Sequence, residues 1–166
     1  MSPAYDPEQW HDLFVASAGA SAALLGLLFV AVSINLERIL AYEGLPERAL
    51  ETLLLLLSVL IVSIVGLIPA ESTVALGLEL LVTAAIVAVI VFRLPATRAV
   101  ETGKEPARWR ASRIGVRLMG TAPLVIGGLS VLLETGGGLY WIAAGVVLAI
   151  CGAVANAWVL LVEILR

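Results

Sequence analysis

The stretch RLPATRAVETGKEPARWRASRIGVR, residues 93–117, decides the fold. It holds seven of the ten Lys and Arg residues of the chain, Arg93, Arg98, Lys104, Arg108, Arg110, Arg113 and Arg117, against only Glu101 and Glu105. On either side the chain is almost uninterrupted hydrocarbon. Between apolar segments such a loop stays on the cytoplasmic side of a membrane, because the Lys/Arg bias of short loops sets orientation. With this loop inside, every other segment is oriented by alternation.

The rest of the composition agrees. Of 166 residues, 61% are hydrophobic and 14% charged, with a mean hydropathy of +1.05. Soluble domains carry about a quarter charged residues, so the expected class is an all-α, polytopic membrane protein forming one domain. A net charge of −3 argues against a nucleic-acid partner. The first twelve residues, MSPAYDPEQWHD, hold three acids and no Lys or Arg. That is the reverse of a signal peptide's basic start, so the amino terminus is expected to be retained.

Five spans are expected, at about 13–36, 50–69, 73–92, 115–133 and 139–162. Asp6-Pro7-Glu8 reads as a helix start. Leu13–Ile34 is free of charge and longer than the roughly 20 residues a span needs. Gly44 is a stop, Pro46 an opener, Pro69 a terminator and Ser72 a cap. Pro123 is expected to kink the short fourth span.

Alternation from the basic loop puts the amino terminus outside and the carboxyl terminus inside. All ten basic residues then face the cytoplasm, including Arg38, Arg48 and Arg166. Trp10, Tyr140 and Trp141 mark the outer interface, and Tyr42, Phe92, Trp109 and Trp158 the inner one.

Two helices carry small-residue stripes. Gly19, Gly26 and Ser33 recur every seven residues on the first span, and Gly145, Ala149, Gly152 and Asn156 share one face of the fifth. In lipid such stripes let backbones approach closely within one copy, or serve self-association as a homo-oligomer, a pore-lining face or a complex with another membrane protein.

Glu79 is the one acid well inside a span. The membrane favours it as a neutral, hydrogen-bonded group or as part of an ion or proton pathway. By depth its expected partners are Ser17, Ser21 and Ser130; a later start of the third helix would instead leave it exposed. A second polar layer, Asn35, Asn156 and Thr121 with Glu51 and Glu163, lies toward the cytoplasmic side, where the two acids are expected to meet Arg residues. From Pro106 onward, Arg108, Arg110, Arg113 and Arg117 can form an interfacial helix on anionic lipid headgroups or a solvated loop.

Chemistry for catalysis is missing from this pattern. His11 is the only histidine and Cys151 the only cysteine, so no metal cluster, disulfide or cofactor is expected. No phosphate-binding glycine loop occurs, and the spans offer serines without a base. The expectation is a non-enzyme.

Residues 19–40, GASAALLGLLFVAVSINLERIL, and 156–166, NAWVLLVEILR, resemble a family of small bacterial membrane proteins. Some of its members are described as modulators of a membrane-bound AAA protease. The resemblance implies a bacterial inner-membrane location and brings no catalytic residues. Ala16, Ser17, Ser21, Ala22, Leu24, Gly26, Val30 and Ala31 also resemble the pore helix of calcium-release-activated channel (Orai) subunits. The pore glutamate position is Ile34 here and the basic position Gly19, so channel function is not carried over.

Overall fold

A computed structural model describes residues 2–42, 44–94 and 107–164, and the side chains among them except those of 107–113 and 163–164. The chain is all-α, and five of its helices are long and apolar enough to cross a membrane. Two 3-10 turns, Pro3–Tyr5 and Pro7–Trp10, lead into α1 (His11–Ile34). A short α2 (Leu36–Ala41) precedes α3 (Leu45–Val65), α4 (Thr73–Arg93), α5 (Ala107–Leu132) and α6 (Leu139–Ile164).

The boundaries follow local chemistry. Asp6 caps as expected, its carboxylate accepting from the Glu8 amide, but the turn it opens is 3-10 rather than α. Gly44 sits at φ 88°, a left-handed conformation that costs glycine nothing, and Pro46 lies in the first turn of α3. Ser72 accepts from the Ala75 amide at 3.2 Å and starts α4. Two expectations are corrected. The first helix does not run on to Gly44: it breaks at Asn35, whose amide side chain bonds back to the Ala31 carbonyl at 2.9 Å. The second span stops at Val65, four residues before Pro69; Gly66 follows it, and a Cβ there would lie 2.6 Å from the Phe14 ring. Of the two readings of the segment after Pro106, the helix is the one found: the fourth span is the end of a continuous helix from Ala107; residues 95–106 lie outside those described.

The helices are layered unevenly. α3, α5 and α6 form the centre, with α4 packed on α5 and α1 packed mainly on α3. The core runs through Val59, Val62, Leu80, Leu124, Val131, Ile142 and Ala149. α4 and α5 meet through a reciprocal pair of glycines. A Cβ on Gly77 would lie 2.6 Å from the Leu132 amide nitrogen, and one on Gly128 would lie 2.6 Å from that of Leu81. Each glycine therefore admits the other helix's backbone, the close approach that lipid-embedded pairs rely on.

One end of the bundle carries the amino-terminal turns and the α3–α4 and α5–α6 turns. There the Tyr5 hydroxyl accepts from the Gly137 amide, and the Trp10 ring stands edge-on to Tyr140 at 4.7 Å between centroids. Trp10, Tyr140 and Trp141 thus share one end, as the aromatic pattern implied. The other end carries Arg38, Arg48 and the start of α5.

Candidate functional site

Ser17, Ser21, Ser130 and Glu79 do not come together. Ser17 meets Ser63 of α3 at 2.8 Å, and Ser21 donates to the Ser17 carbonyl. Ser130 bonds the α5–α6 turn, donating to the Thr135 carbonyl and accepting from the Gly138 amide at 2.7 Å. Each hydroxyl is consumed locally. Glu79 is exposed on α4 although that helix begins at Thr73, where it was expected to begin. Its acidic neighbour is Glu71, just outside the span. Burial, then the Glu79 charge, then side-chain hydrogen bonding with Glu79 push the Glu71 carboxyl above its usual range. One Glu71 carboxyl oxygen is sealed from solvent with no partner.

Glu71 also lines a cleft of about 810 Å³ at this end, with Asp6, Glu8, His11 and Glu134 around it. The cleft is acidic, as expected for the face without Lys or Arg. Among the described residues no three His, Cys, Asp or Glu side chains converge as a metal site would need.

At the opposite end the expected polar layer is present in part. Glu51 on α3 is 2% exposed and Arg117 on α5 is 8% exposed. The Arg117 Nε donates to Glu51 Oε2 at 3.0 Å, and Nη2 lies 3.0 Å from the same oxygen. Arg117 is therefore not a headgroup ligand: it points into the bundle, because an acid this deep requires a cation. Arg108, Arg110 and Arg113 have side chains outside those described, as does Glu163. Thr121 donates to the Arg117 carbonyl, Asn156 is buried with its amide nitrogen unpartnered, and Asn35 bonds only its own helix.

The two small-residue stripes have opposite fates. On α6 the stripe is filled: a Cβ on Gly145 would lie 2.5 Å from the Leu124 side chain and one on Gly152 3.2 Å from Val116, while Ala149 is fully buried. On α1 nothing lies within 4 Å of a Cβ at Gly19 or Gly26, and Ser33 is exposed with its hydroxyl turned back to the Phe29 carbonyl. Only 17% of the most apolar stretch of this span is buried, against 56% for that of α3. The glycines that bring the α4 and α5 backbones together, Gly77 and Gly128, were not singled out by the sequence pattern. Their signal was the pairing of glycines on two neighbouring antiparallel spans, which no single helix displays.

The bundle thus has the make-up of a multi-pass α-helical membrane protein. No family model, curated protein or solved structure matches the chain.

Proposed function

We propose that the protein is a non-enzymatic accessory subunit of the bacterial inner membrane, with its amino terminus outside and its carboxyl terminus inside. It works by packing the Gly19–Gly26–Ser33 face of α1 against a second copy or a larger membrane complex. The observation that carries this reading is the open α1 stripe, beside an α6 stripe of the same type that is spent inside the monomer. Small residues weaken packing against lipid tails and strengthen it against another helix, whose backbone they admit. The orientation rests on the basic residues of 93–117, and the bacterial location on the resemblance of residues 19–40 and 156–166.

A conducting oligomer is the alternative. It is favoured by Glu79, an exposed carboxyl six residues into α4, about 9 Å along the helix at 1.5 Å per residue. Against it, α4 is not among the elements α1 packs on, and the α6 stripe is filled. One pore lined by a small-residue stripe together with Glu79 therefore needs a larger rearrangement than docking does.

The test is apparent mass in mild detergent extracted from native membranes. The parent is expected to run as an oligomer or larger complex, and Gly26→Leu as a monomer with unchanged thermal stability. A monomeric parent, or a Gly26→Leu variant that keeps the parent's mass, contradicts the reading. Liposome flux that disappears in Glu79→Gln would favour the conducting alternative.

A further inference from the structure

The break between α1 and α2 leaves a notch of about 540 Å³, lined by Ser33, Ile34, Asn35, Leu36, Glu37 and Arg38. It lies where the first span ends at Ile34, and so at headgroup depth on the side that carries Arg48. Its surroundings are greasy: Ile34 and Leu36 in the lining are 78% and 48% exposed, and Val30 and Leu40 on the neighbouring turns are 54% and 65% exposed. Acyl chains are the natural cover for such side chains.

The polar lining is zwitterionic and biased toward acceptors. Glu37 and Arg38 are adjacent and both exposed. Ser33 spends its hydroxyl hydrogen on the Phe29 carbonyl and Asn35 donates through its amide nitrogen to Ala31, so both retain oxygen lone pairs. With the Glu37 carboxylate, three side chains in the notch can accept from one group bearing several N–H donors. The Arg38 guanidinium next to them suits a phosphate, which it can bind in bidentate fashion.

We propose that this notch is a headgroup site for an aminophospholipid, with Arg38 holding the phosphate and Glu37 the primary ammonium. An ethanolamine headgroup carries both charges a few bonds apart. A choline headgroup has the same charges but no N–H to donate, and a glycerol headgroup has no cation. The site overlaps the docking stripe at Ser33 and otherwise lies beyond its end.

Native mass spectrometry tests this directly. The protein is exchanged into mixed micelles containing equal amounts of dioleoyl phosphatidylethanolamine, phosphatidylcholine and phosphatidylglycerol, and the retained lipids are counted. One phosphatidylethanolamine is expected to be retained several-fold over phosphatidylcholine. Glu37→Gln should erase that preference while total retention persists, and Arg38→Gln should lower retention of all three. Both side chains are exposed, so thermal melts of the variants should match the parent. Equal retention of the three lipids, a preference for phosphatidylglycerol, or an ethanolamine preference that survives Glu37→Gln would overturn the proposal.

Discussion

Arg117 of α5 holds Glu51 of α3 through a 3.0 Å Nε–Oε2 hydrogen bond, with both side chains withdrawn from the surface of the bundle. The pair bolts two central helices together near the basic end. Removing one partner leaves a buried charge without compensation. Glu51→Gln and Arg117→Gln should each destabilise the protein by about 3–5 kcal/mol. The double variant Glu51→Leu/Arg117→Met should lose much less than the sum, because no charge is stranded. Unfolding in detergent measures all three; a mild effect of Glu51→Gln would mean that water reaches the pair.

The glycines predict a contrast within one protein. Gly128→Ala puts a methyl group against the Leu81 backbone and should cost about 1–3 kcal/mol or more, since neither helix can yield easily. Gly26→Ala meets nothing and should leave the monomer unchanged or up to about 1 kcal/mol more stable through helix propensity. Equal losses at the two positions would show that α1 is packed inside the monomer after all.

Much of the fold was legible because bilayer insertion is governed by quantities that sequence displays directly. Charge-free runs and the Pro46 and Ser72 signals located the five helices to within a few residues. What was not legible depends on partners. Glu51 announced the need for a cation, but only the fold, which brings Glu51 of α3 opposite Arg117 of α5, selects its partner. Serines 17, 21 and 130 were matched to Glu79 by depth alone, and depth says nothing about which way a helix faces. The Asn35 break was hidden because the side chain that makes it bonds within its own helix. Which of the two stripes would be filled was equally invisible, since both satisfy the same spacing rule.

Glu71 gives stability a signed pH dependence. Its folded-state pKa is raised above the ordinary value near 4.5, so between those two values the folded protein holds a proton that the unfolded chain has released. Stability therefore falls as pH rises through that window and levels off above the folded-state pKa. Glu71→Gln should flatten this part of the profile, and Glu79→Gln should shrink it by removing the charge beside it. Thermal melts across the acidic range measure the effect, and a parent profile that rises with pH there would have the wrong sign.

Orientation is tested by cysteine labelling in sealed right-side-out vesicles, on a Cys151→Ser background because Cys151 is exposed. An impermeant maleimide should reach Ser2→Cys and Thr135→Cys, both at the acidic end, and not Thr102→Cys in the basic loop. Labelling of Thr102→Cys would invert the topology.

The docking role of α1 is tested most directly by disulfide crosslinking in native membranes, with single cysteines placed around the helix on the Cys151→Ser background. Adducts, with a second copy or a heavier partner, are expected at Gly19→Cys and Gly26→Cys and at Ser33→Cys, and not at Ala20→Cys or Leu27→Cys, exposed positions about 100° round the helix from the stripe. A helix that forms no adduct at any of these positions, or forms them equally all round, would contradict a docking face and leave α1 a lipid-facing span.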